Sequence, residues 1–189
     1  EGFRTAGKVQ YVARAGQFPD KGIPYSGVFK VVRTILDYDY LWNEVRVKGG
    51  AYGVKCAFLD SGIGFLSSYR DPNLSATDQV YRGVPDYLRN YEADERDMMK
   101  YIIGTISGLD VPLTPRDLGD RSYAAYMTGT TQEDKQRERD EVLAADPAKV
   151  REAAAMVDAV LSDGKICVLG SEEKIKQSEG LFDHIRTLS

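Results

Sequence analysis

Between residues 28 and 59 the hydrophobic period changes abruptly at a pair of glycines. Up to Lys48 the apolar residues Val28, Val31, Val32, Ile35, Leu36 and Trp42 recur at helical steps, while Arg33, Asp37 and Glu44 fall elsewhere on the wheel. From Tyr52 the spacing becomes alternate, with Val54, Cys56 and Phe58 on one side. Gly49-Gly50 is the helix stop. A chain that must be helix on one side of two glycines and strand on the other is neither all-α nor all-β.

The rest of the chain extends that pattern. Residues 8–14 alternate and Gly16 closes them, so a first strand is expected there, followed by a loop over residues 17–24 and a helix capped by Ser26. Asp60-Ser61-Gly62 is turn chemistry, and Ile63, Phe65, Ser67 and Tyr69 form the returning strand of a hairpin. Ser75 or Thr77 is the expected cap of a helix carrying Val80, Tyr81, Val84, Leu88 and Tyr91, with Pro85 predicting a kink or a delayed start. Asp94 and Thr114-Pro115 open two further helices, and the mixed charges of residues 132–141 read as a solvated helix face. Asp146-Pro147 begins a helix that Gly164 ends, residues 166–169 read as a buried strand, and Ser171 caps a last helix that reaches His184. Hairpins segregated from helices give an α+β fold, with helices stacked on one face of a mostly antiparallel sheet as a two-layer sandwich. The first strand has no earlier partner and the chain opens on Glu1 without a Met, so an N-terminally truncated domain is expected.

At 189 residues the chain suffices for one domain with a real core. Its 29 acidic against 25 basic side chains leave a net charge of −4, which argues against a phosphate-neutralising surface and hence against nucleic acid as partner. No run approaches the roughly 18 apolar residues of a membrane span, so no membrane association is expected. Cys56 and Cys167 are too far apart for a Cys-x-x-Cys motif and read as two buried thiols. The single histidine, His184, cannot supply a two-histidine zinc centre, so no metal site is expected within these residues.

Chemistry concentrates at the glycine pair. The helix brings Arg46 to its last turn, Gly49-Gly50 reverse the backbone without side-chain bulk, and the strand begins by presenting Tyr52. An Arg fork can hold a carbonyl or carboxylate, and a Tyr hydroxyl can donate to an oxygen that gains charge. Read from spacing alone, the same residues also serve as dipole compensation and sheet packing.

The stretch Asn43-Glu44-Val45-Arg46-Val47-Lys48-Gly49-Gly50-Ala51-Tyr52-Gly53, followed by Ser68-Tyr69-Arg70-Asp71-Pro72-Asn73, resembles the C-terminal domain of presequence protease, a branch of the pitrilysin and insulinase superfamily of zinc metallopeptidases. The resemblance implies that residues 1–189 are a single, partial C-terminal domain of a two-halved clamshell enzyme that degrades short unstructured peptides. It implies that an N-terminal half of the same protein holds zinc through a His-x-x-Glu-His motif. Arg46 and Tyr52 match the family's Arg and Tyr that reach the active site from across the chamber, as catalytic and substrate-binding groups, with Gly49 and Gly50 as further substrate-binding positions. All zinc ligands of the family are missing from this sequence, so the piece alone is expected to be inactive. The rival expectations are a non-catalytic scaffold or peptide-binding subunit of the same fold, and an unrelated α+β binding domain. A bacterial cytoplasm is the simplest location, with a mitochondrial or plastid matrix as the alternative. Self-association through a surface built to face the other half is also expected.

Overall fold

The computed structural model describes residues 1–162 and 164–188. The chain runs β1 (Gly2–Thr5), β2 (Tyr11–Gln17), α1 (Val28–Ile35), β3 (Gly53–Phe58), β4 (Ile63–Tyr69), α2 (Ser75–Arg89), α3 (Glu95–Leu109) and α4 (Pro115–Thr128). It continues with α5 (Gln132–Leu143), α6 (Pro147–Glu152), α7 (Ala154–Ser162), β5 (Lys165–Ser171), α8 (Glu172–Gln177) and β6 (Ile185–Thr187). One six-stranded sheet has the order β3-β4-β2-β5-β1-β6. The pairs β3/β4, β4/β2 and β2/β5 are antiparallel, whereas β1 lies parallel to both β5 and β6.

Alternation along the strands sorts the sheet into two unlike faces. Val12, Leu66, Cys56, Phe58 and Val168 are buried beneath the helices, and α1, α2, α7 and α8 pack against that side. Gly16 sits mid-strand because α7 crosses there: a Cβ at Gly16 would stand 2.0 Å from the Val160 carbonyl oxygen. Arg14 also points into this layer, where Asp78 of α2 accepts from its Nε and, at 3.2 Å, from its Nη2, so a buried ion pair pins α2 to β2. The opposite face, bearing Tyr11, Ala13, Ser67, Tyr69 and Cys167, carries no helix among the described residues.

Helices on one side of a mostly antiparallel sheet are what the sequence predicts, and several details differ. β2 begins three residues later than expected and pairs with β4 and β5, both of which follow it in the chain. β1 has no counterpart in the sequence reading, because four residues are too few to show alternation. Neither Ser75 nor Thr77 caps α2, whose N-cap position is Leu74, and α2 runs from Ser75 through Pro85 without delay. The single helix expected after Asp146 is two, separated at Ala153. The final helix stops at Gln177, and His184 lies on the surface just before β6, its carbonyl accepting from the Gly2 N–H at 2.8 Å. Cys56 is buried but Cys167 is exposed, since its neighbours Ile166 and Val168 take the helix-facing positions of β5.

Candidate active-site corner

The helical segment that delivers Arg46 is held at three points. Past Ile35 it opens into wide, i→i+5 turns over Leu36–Tyr40 and Trp42–Lys48, a form that recurs at functional sites. Asp37 accepts the Cys56 backbone N–H of β3 at 3.0 Å, the Tyr40 hydroxyl donates to the Val80 carbonyl at 3.2 Å, and Asp39 accepts from the Tyr87 hydroxyl at 2.7 Å. Val45 is buried, which turns Arg46 to the rim. There the guanidinium lies over the Trp42 ring, 3.9 Å from its centroid.

The wide turns close on the glycines. Gly50 is left-handed at φ +80°, its N–H donates to the Arg46 carbonyl at 2.9 Å, and the Ala51 N–H reaches the Val45 carbonyl at 3.1 Å. This is a Schellman-like ending in which each bond spans one residue more than usual, as a widened helix requires. A Cβ at Gly49 would come within 2.4 Å of the Val45 oxygen, so glycine is needed at 49 for room and at 50 for handedness.

Tyr52 emerges from this corner 70 % exposed. Its ring meets Tyr69 edge-on at 5.9 Å, and Tyr69 meets Tyr11 in the same manner at 5.3 Å. Strand register continues the row from Tyr11 to Leu169 and Phe3 along the uncovered face of the sheet. Arg46 and Tyr52 thus stand on either side of one backbone reversal, and among the described residues neither makes a side-chain hydrogen bond. The aromatic row escapes the sequence reading, which treats Ser68 to Asp71 as a hairpin end; its signal is the period-two placement of Tyr69 and Tyr11 on paired strands. A cleft of about 820 Å³ lies elsewhere, between α1, α5 and α6, and contains no residue of the corner.

No group of three or more His, Cys, Asp or Glu side chains among the described residues could hold a metal ion. His184 is remote and exposed, Cys56 is bonded to Asp37, and Cys167 opens on the other face, so this donor set does not fit zinc. No helix among the described residues is long and apolar enough to cross a membrane.

Residues 1–172 match the family model of the PreP C-terminal domain. The chain belongs to this family. It is 46 % identical to Protein HypA of Clostridium perfringens over 188 residues, which is 100 % of the chain and 19 % of HypA. It is 37 % identical to presequence protease 1, chloroplastic/mitochondrial, of Arabidopsis thaliana over 169 residues, covering 89 % of the chain and 16 % of that protein. The PreP C-terminal domain described here therefore spans less than a fifth of either relative. In fold it is similar to the peptidase M16 inactive domain from Pseudomonas fluorescens, with a TM-score of 0.66 at 17 % identity over 90 % of this chain and 42 % of that one. A similar match, TM-score 0.65 at 18 % identity, is the inactive peptidase domain of a putative zinc protease from Bordetella parapertussis, over 87 % of this chain and 91 % of that one.

Proposed function

We propose that this PreP C-terminal domain closes the substrate chamber of a zinc metalloendopeptidase that cleaves short unstructured peptides, and that Arg46 and Tyr52 complete its active site. The observation that carries the reading is the uncovered sheet face, whose row Phe3, Leu169, Tyr11, Tyr69 ends at Tyr52, across the glycine reversal from Arg46. Such a row offers ring faces and edges to apolar side chains of an extended peptide. At its end, Arg46 supplies a donor fork to a peptide carbonyl and Tyr52 a hydroxyl to the oxygen that becomes negative as the bond is attacked. Gly49 and Gly50 serve by keeping the corner free of side chains where the peptide backbone passes. Zinc belongs to an N-terminal half of the same protein, which is also the domain's main partner. The compartment follows that parent protein, a cytoplasm if it is bacterial like the Clostridium relative, or an organelle matrix by likeness to the chloroplastic/mitochondrial plant one.

In the full-length protein, Tyr52→Phe is expected to lower kcat on a flexible peptide by about 10²- to 10³-fold, the usual effect of losing one oxyanion donor. Arg46→Ala should raise KM as well, and zinc content should stay unchanged in both. Full turnover by both folded variants would overturn the roles given to them. The competing reading, a peptide-binding subunit without catalysis, predicts that the parent reading frame contains no His-x-x-Glu-His.

A further inference from the structure

The segment from Arg70 to Asn73 forms a brace against the glycine corner. Asn73 Nδ2 donates to the Gly49 carbonyl at 2.7 Å, reaching back 24 residues. Its own N–H donates to Asp71 Oδ1 at 2.8 Å, and the other Asp71 oxygen accepts from the Thr77 hydroxyl at 2.7 Å. Asp71 is wholly buried, and its backbone exchanges both hydrogen bonds with Gln10, at 2.7 and 2.8 Å. Gln10 is equally buried and accepts the Ser171 N–H at 2.8 Å, which ties the brace to β5. Arg70, with φ +49°, is the one non-glycine residue of positive φ among the described residues, and its carbonyl faces the Tyr52 N–H at 3.4 Å. Strain of that kind persists only where the surroundings over-determine it, and it gathers at working sites.

We propose that Asn73 is a positioning residue, which holds the Gly49 carbonyl so that Tyr52 stands at a fixed place relative to Arg46. The Arg46 side of the corner is fixed by the helix and by Trp42; on the side leading to Tyr52 the Gly50, Ala51 and Tyr52 N–H groups have backbone partners, and Asn73 adds the anchor for the carbonyl that precedes Gly50, the residue with the widest intrinsic backbone freedom. Capping alone does not account for the bond. Gly49 is partly exposed, so water could satisfy its carbonyl, and the net stability gained from such a bond is modest. A displacement of about 1 Å at a reacting group, by contrast, can cost about 10²-fold in rate. A residue whose removal barely changes stability yet strongly changes turnover is therefore the expected signature.

This inference rests on the role proposed for Tyr52, and the test separates the two. In the full-length protein, Asn73→Ala is expected to lower kcat by about 10²-fold with KM and melting midpoint nearly unchanged. Adding it to Tyr52→Phe should cost nothing further, because the group it positions is already gone. A crystal structure of the Asn73→Ala protein should show the Tyr52 ring displaced from its place beside Tyr69. Should that variant fail to fold, Asn73→Asp, which keeps the size but loses the donor, gives the same readings. An unmoved Tyr52 would overturn the positioning role, and so, where Tyr52→Phe itself lowers kcat, would wild-type kcat in Asn73→Ala or losses that multiply in the double variant. A displaced Tyr52 together with a fully active Tyr52→Phe protein would leave the positioning intact and remove the catalytic reading instead.

Discussion

Asp37 shows how a single side chain fixes the corner from behind. Its carboxylate accepts from the Cys56 backbone at 3.0 Å and lies 3.5 Å from the Cys56 sulfur, so it ties the wide-turned helix to β3. Burial pushes its pKa above the usual carboxylate range, against the opposing pull of the Cys56 N–H and of Arg33. A folded carboxyl that holds its proton more tightly than the unfolded one stabilises the fold most below the unfolded pKa, and that contribution is lost as pH rises through the folded value. Asp37→Asn keeps an acceptor for the Cys56 N–H and carries no charge to desolvate. It is expected to raise the urea midpoint relative to wild type near pH 7 and to lose that advantage near pH 3; an equal difference at both pH values would refute the burial argument. None of this is legible in the sequence, where Asp37 is only a polar position on a helical wheel. Asn73 is hidden for the same reason, since its partner lies 24 residues away. That Arg46 ends a helical segment and Tyr52 precedes a strand is legible, because the glycine pair that separates them is itself a local signal.

Among the elements, α4 stands apart. Its Thr114 and Asp117 form a capping box and Gly129 ends it at φ +71°, so the local code for a helix is complete. Yet none of its 14 residues is buried, and Leu118, Tyr123, Tyr126 and Met127 are all exposed, Tyr126 by 83 %. Helices of about 12–15 residues are marginal in water without tertiary packing. In this chain the α4 amides are expected to exchange with solvent orders of magnitude faster than those of α2, whose Tyr81, Val84 and Leu88 are core. Equal protection of the two by hydrogen-exchange mass spectrometry would show that α4 is packed after all. The Thr114-Pro115 start thus made α4 legible as an element while leaving its surroundings out of reach. The last helix fails in the opposite way: the apolar spacing of Leu181, Phe182 and Ile185 imitates a helix, but Phe182 packs over Gly2 and Ile185 pairs with it in the sheet.

For the whole molecule the decisive property is the contrast between the two faces of the sheet, and the two cysteines report on it separately. Cys56 lies beneath the helices, where burial pushes its thiol well above the ordinary range and keeps it from forming a thiolate. Cys167 lies on the uncovered face, in register with Ala13 and, through it, with Ser67. The sequence reading buries both thiols, because a short apolar run bounded by glycines reads as a strand covered on both faces; with one face uncovered, Ile166 and Val168 take the core side of β5 and Cys167 faces away. In the folded 189-residue chain an aromatic disulfide reagent should therefore label one thiol quickly and the second only on unfolding. If the uncovered face lines a peptide chamber, labelling of Cys167 in the full-length protein should slow, and slow further when an unstructured peptide is bound. An equal rate in the two proteins, insensitive to peptide, would mean that this face looks outward in the parent and that the row ending at Tyr52 serves some other contact.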